Sequence, residues 1–310
     1  MTMAGLVSSV QDVFDDFKQR AEQIQGFRQR VEEVGTLPPM PEVATRILRL
    51  RDDPNADALH LAKLIELDPG LAAQVVRYAS SALYGYRGKI DSIHDAIARV
   101  LGYDKVLDLA LGLALGKSLT HSHSGPLGIQ EFWRHAIYSA VLMQFLAIRL
   151  TAQERPVAGL LYLSGLLHNI GYLVLGHCFK TEFTLLNDAI EKHPSVPITA
   201  VENKLLEVNH YEIGSWLLRS WSMPTEILTA VYCHHNPEYR GDHSVYANLC
   251  YVADCLLSRH GIGDVGDGEL PAETLHHLGL SEESVEAALE QLMQSSDDFD
   301  ALVSGAVQAA

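Results

Sequence analysis

Residues 157–179 read VAGLLYLSGLLHNIGYLVLGHCF, and the class of the chain turns on whether this run crosses a membrane or fills a core. It is long enough to span a bilayer, yet His168, Asn169 and His177 interrupt its apolar residues. Hydrocarbon would leave those polar groups without partners, whereas two helical pieces buried in a protein core can satisfy them. The break between the pieces is expected at His168-Asn169, with Gly171 as the C′ residue that ends the first.

Helical periodicity extends on both sides of this run. Apolar residues recur at three- and four-residue steps near 130–150 and 156–169, then near 172–191, 197–207, 210–220, 224–235, 243–260 and 281–294. The N-terminal half is punctuated by helix starts and stops. Leu59 to Glu66 reads as a short helix, and Asp68 can cap the next one with Pro69 in its first turn. Ser92-Ile93-His94-Asp95 opens another in the manner of a capping box. No stretch alternates with period two for long enough to make a strand, so the expected class is all-α, a packing of many helices.

Residues 8–34 form an amphipathic pattern through Val10, Phe14, Phe17, Ala21, Ile24, Phe27, Val31 and Val34, suited to docking on its own body or pairing two protomers. The loop from Thr120 to Gly128 is the best internal boundary, and its His121 and His123 read as solvated rather than ligating. The expected organisation is an N-terminal amphipathic helix (1–36), a helical subdomain (37–120), a second helical subdomain (129–260), and an acidic tail with one helix and a frayed end (261–310).

Net charge is −16, with eleven acidic residues and no Lys or Arg after residue 260, so the first 260 residues carry −16 + 11 = −5. An acidic chain without a basic stripe lacks the means to neutralise phosphates, which argues against direct nucleic-acid binding or a DNA-binding regulator. Cys178, Cys233, Cys250 and Cys255 show no CxxC spacing and suit buried thiols in a reducing compartment. The first residues, MTMAGLVSSVQDVFDDF, lack a basic start and a long apolar core, so a cytoplasmic protein without a signal peptide or membrane span is expected.

Chemistry is concentrated in the second half. His135 lies in FWRHA, His168-Asn169 in LLHNIG, His210 in NHYEIGSWLL, His234-His235 in VYCHHNPE, and Asp254 in YVADCLL. Imidazoles and carboxylates gathered from several helices suit a divalent transition metal such as Fe, Mn or Zn. A bound cation of that kind polarises a phosphoryl oxygen and acidifies an attacking water. A lone helical His is more often a packing residue, so the argument rests on the whole set in order.

From about Leu37 to Asp254 the chain resembles the HDOD family, the HD-related output domain group of bacterial signalling proteins within the HD superfamily. The resemblance rests on LPPMPEVATRIL at 37–48, LIELDPGLAAQVVRYASSALYG at 64–85 and IDSIHDAIARVLGYDKVLDLAL at 90–111. It continues through LLHNIGYLVL at 166–175, HYEIGSWLLRSWSMP at 210–224 and AVYCHH at 230–235. It implies an N-terminal helical subdomain packed on an HD-like one, and a signalling role typically without established catalysis.

Departures from the wider pattern bear on chemistry. Asn169 stands where HD enzymes carry Asp, Tyr172 where related cyclic-dinucleotide phosphodiesterases carry Lys, and NPEYRGDHS lacks their GYP signature. Ser80 replaces a usual Asn. The expected function is therefore a signal-transduction module with a degenerate phosphohydrolase site that binds a protein partner or a small phosphorylated ligand, with a metal retained for structure or sensing. The alternative is a working HD-type phosphohydrolase in which His135, His168 and Asp254 hold one cation while His210, His234 and His235 hold another or contact phosphate.

Overall fold

The computed structural model describes residues 26–27, 37–81, 84–86, 88–119, 124–263 and 269–309, and every regular element among them is a helix. The first half comprises α1 (Glu42–Asp52), α2 (Ala58–Ile65), α3 (Pro69–Ala79), α4 (Ile93–Asp95, continued by a wider-pitched turn over Ala96–Leu101) and α5 (Tyr103–Lys117). Local chemistry sets these starts. One oxygen of Asp57 accepts the N–H groups of Leu59 and His60, and Asp68 accepts those of Gly70 and Leu71 just behind Pro69. Ser92 Oγ accepts from the Asp95 N–H, so all three caps fall where the sequence placed helix starts.

Helix α5 is buried from Val106 to Gly116 and forms the centre of the molecule. Against it pack α1 from the first half and α7 (Ala158–Leu167) from the second. Helix α6 (Ile129–Ala147) lies along α7, which is followed by α8 (Ile170–Cys178) and α9 (Lys180–Lys192). Then come α10 (Ile198–Leu206), α11 (His210–Ser220), α12 (Thr225–Cys233) and α13 (Ser244–Ser258). The apolar stretch Ala158–Cys178 is long enough to cross a membrane, but 89% of its apolar window is covered by the protein itself.

Several expectations change. Gly171 does not end a helix: it lies inside α8, where the backbone of His210 comes so close that a Cβ has no room. The run expected as one helix over 172–191 is interrupted at Phe179, whose φ of −132° and ψ of 59° leave the helical region without any glycine or proline to signal it. The acidic tail carries three helices instead of one: α14 (Ala272–Leu278), α15 (Glu282–Met293) and α16 (Ser296–Ala309).

The last helix is not frayed. Phe299, Leu302, Val303 and Ala306 are buried, and α16 packs on both α3 and α6. Gln74 donates to the Gly305 carbonyl at 3.3 Å, and the Tyr138 hydroxyl donates to Ser296 O at 3.1 Å. Acidic residues populate the outer face of these helices while their apolar stripes serve the core. None of the four cysteines forms a disulfide, but only Cys250 is buried and Cys178 is exposed.

Most of the amphipathic segment 8–34 lies outside the described residues, as do His121 and His123. Phe27 is described: it is buried and meets the Phe179 ring edge-on at 5.0 Å.

Candidate metal centre

Each ligand candidate sits where a helix begins, ends or turns a buried face inward. His135 is on the covered side of α6, and Asp254 is on α13. His168 closes α7, Asn169 leaves the helical path with φ −101° and ψ 17°, and α8 resumes at Ile170, so both side chains project from a kink between two core helices. His210 is the first residue of α11, whose start is fixed by the Asn209 N–H donating to the Glu212 carboxylate at 3.0 Å. His234 and His235 follow the last turn of α12.

These residues converge as two adjoining triads. His135, His168 and Asp254 place one ligand atom each within 4.8 Å of the others, and so do His210, His234 and His235. In the first triad His135 Nε2 lies 2.9 Å from Asp254 Oδ1, and His168 Nε2 lies 3.7 Å from the same oxygen. In the second, His210 Nε2 lies 3.2 Å from both His234 Nε2 and His235 Nε2. The His168 and His234 rings meet at 5.1 Å, joining the triads into one cluster. Asn169 adjoins this convergence: its amide nitrogen is 3.2 Å from His135 Nδ1, the ring nitrogen opposite the one that faces Asp254.

Two further residues complete the centre. Glu202, on α10, is fully buried, and its two oxygens lie 2.9 and 3.0 Å from His210 Nδ1. It falls in the stripe Ile198, Val201, Leu205, Leu206 that buries one face of α10, so a carboxylate in an apolar register was the signal available in the sequence. Tyr172 stacks on the His210 ring at 4.3 Å, which gives the residue in the Lys position a packing role. Burial, followed by the nearby Glu212 and Glu202 carboxylates, raises the phenol of Tyr211 above its ordinary range.

The donor set fits a divalent transition metal. His168 and His234 direct Nδ1 to the carbonyls of Gly165 and Val231 at 2.7 and 2.8 Å, which leaves each Nε2 facing the cluster. Among the described residues Asp254 Oδ2 is buried and makes no hydrogen bond, an acceptor that a cation or a ligand would satisfy. Both triads therefore offer metal ligands of the kind that holds Zn, Fe or Mn.

A cleft of about 430 Å³ leads to the His135 and Asn169 end. Leu127, Phe132, Ile190 and Ile198 form its apolar walls, and Glu131 stands at its rim. Gly263, with φ of +93°, closes over the His135 ring, where a Cβ would collide with the imidazole.

An all-helical body gathers histidines from the ends and faces of four helices and an aspartate from a fifth, the architecture of a helical HDOD protein. The chain belongs to the HDOD domain family, whose model matches residues 37–237. A crystal structure from Marinobacter aquaeolei VT8, of a protein provisionally called a signal transduction protein, is 36% identical with a TM-score of 0.78, covering 95% of this chain and 65% of that one. An HDOD domain protein of unknown function from Geobacter sulfurreducens is 23% identical with a TM-score of 0.72, covering 89% of this chain and 95% of its own. An uncharacterized protein of Treponema pallidum is 22% identical over 264 residues, and this chain spans about half of its length, 50%.

Proposed function

We propose that this chain is a regulatory module of bacterial signal transduction, which acts by binding a protein partner or a small ligand around a metal-retaining centre that has lost hydrolysis. The observation that carries this reading is Asn169. Its amide donates toward His135 Nδ1 at the position where a phosphohydrolase would place a charged, ion-bridging carboxylate. An amide adds no charge to hold a second cation, so a buried pair of divalent ions would be poorly neutralised. The Marinobacter aquaeolei relative's provisional naming as a signal transduction protein supports the signalling role.

The retained triads favour the second reading, a metal-dependent phosphohydrolase of nucleotides or other phosphate esters. Turnover assays separate the two. Tag-free protein incubated with Mn²⁺, Fe²⁺ or Zn²⁺ and a panel of phosphomono- and diesters is expected to show the same rate as His168→Ala. Hydrolysis that disappears in His168→Ala would establish the enzyme and end the binding-module reading.

A further inference from the structure

A second cleft, of about 580 Å³, opens at the seam between the two halves. Arg51 of α1, Tyr103, Lys105 and Asp108 of α5, and residues 158–160 at the start of α7 line it. Its volume lies in the range of sites that take small molecules. Helix α7 begins here and ends at His168, so the cleft and the histidine cluster occupy its opposite ends, roughly 15 Å apart along the axis. Inward, the cleft meets a narrow space that shares Lys105, Asp108 and Gly159 and is closed by Tyr78, Tyr84, Tyr162 and Gln144.

Charge inside the cleft is unbalanced. Arg51 and Asp108 answer each other as an ion pair, and Asp104 stands exposed at the rim, where water screens it. Lys105 is half-buried: its ammonium lies 5.3 Å from the centre of the Tyr84 ring, and among the described residues no carboxylate pairs with it. Burial lowers that ammonium below the ordinary lysine range, as expected for a charge taken from water without an anion in exchange. The first turn of α7 adds to the excess, since no side chain caps it and its amides carry the positive end of the helix dipole. Asp108 touches the same turn, because a Cβ at Gly159 would overlap its carboxylate, yet its charge is already matched by Arg51. The Tyr84 and Tyr162 rings flank Tyr78 at 5.4 and 5.8 Å. Among the described residues neither of their buried hydroxyls makes a hydrogen bond of ordinary geometry. Buried donors in that state call for an acceptor.

We propose that this cleft binds a small organic oxyanion, a carboxylate or phosphate carried on an apolar or aromatic body. The oxyanion meets Lys105 and the first-turn amides of α7, and the body lies against Leu101, Tyr103 and Leu160. The site is separate from the histidine cluster and does not depend on the metal-retaining reading above.

Isothermal titration calorimetry of the full chain with phenyl phosphate, benzoate and phenol tests the proposal, since the three share a ring and differ in charge. Saturable binding of phenyl phosphate or benzoate is expected, with phenol far weaker, and the tighter of the two anions identifies the oxyanion the cleft prefers. Lys105→Met should weaken that binding by roughly 10–100-fold, because a charge-assisted contact is lost, and Lys105→Arg should recover part of it. Ala158→Glu places a carboxylate at an exposed position in the first turn of α7, where helices favour one. It should keep the melting temperature of wild type while competing with the ligand and lowering its affinity. The same affinities are expected with and without a metal chelator, which separates this cleft from the histidine cluster. Phenol bound as tightly as the anions, no saturable binding of either anion, affinity unchanged in Lys105→Met or in Ala158→Glu, or binding that vanishes on chelation would each overturn the proposal.

Discussion

Each half of the molecule holds a buried acid beside a base, and two such pairs do different work. In the first half Asp108 on α5 meets Arg51 on α1; in the second Glu202 on α10 meets His210 on α11. Arg51 is a permanent cation with part of its side chain in solvent, and its pair ends there, fastening α1 to the central helix. His210 can stay neutral, and its second nitrogen passes the influence of Glu202 into the histidine cluster. A buried carboxylate next to a base is thus a fastening in one half and a tuning device in the other, and the ring nitrogen left over makes the difference.

The largest effect should come from breaking the fastening. Arg51→Met leaves Asp108 buried without its counter-charge and is expected to cost about 3–5 kcal/mol of unfolding free energy at neutral pH. The double variant Arg51→Met/Asp108→Leu should recover most of that loss, because no stranded charge remains. Urea denaturation at pH 7 measures both. A single variant that is nearly as stable as wild type would mean that the pair fastens nothing.

A smaller effect appears in the pH dependence. Burial pushes the Asp108 carboxyl from an ordinary 3.8 up to about 6, against the opposing pull of Arg51 and with a further push from Asp104. Between these values the folded state binds more protons than the unfolded chain, so the contribution of Asp108 to stability falls as pH rises through the window. The fall amounts to roughly 2–3 kcal/mol across about pH 4 to 6. Asp108→Asn should flatten this part of the stability profile relative to wild type. Parallel profiles for the two proteins would assign the pH dependence to other groups.

Neither pair is legible in the sequence, which shows His210 but not its partner Glu202 and neither member of the Arg51–Asp108 pair. The helices and their caps at Asp68 and Ser92 were legible because their signals are local, written in residues one to three positions apart. The histidines and Asp254 were legible as an ordered set. Glu202 was not, since an acid in a helix is by default placed in solvent, and only its register with Ile198, Val201 and Leu205 marks it as internal. The kink at Phe179 and the packing of α16 depend on partners far along the chain: Phe27 for the first, α3 and α6 for the second. Such long-range contacts leave little trace in composition, and the acidic first turn of α16 obscured its buried stripe.

The gentlest perturbation sharpens the contrast most. Asn169→Asp keeps the shape of the side chain and reverses its hydrogen-bonding role toward His135, from donor to acceptor. It also brings a third carboxylate into the cluster beside Asp254 and Glu202. Without metal the added charge near Asp254 should cost about 1 kcal/mol, the ordinary scale for a point substitution, and leave the Asp108 titration unchanged as an internal control. With Zn²⁺ or Mn²⁺ the cost should reverse, because His135 Nε2 is freed as a ligand and the added charge offsets a second cation. Uptake should then rise from one ion per chain to two, and chelation should lower the melting temperature more than it does in wild type. If Asn169→Asp still takes a single ion, charge at position 169 is not what limits occupancy, and the difference between the two ends of the cluster must lie in the geometry of their ligands.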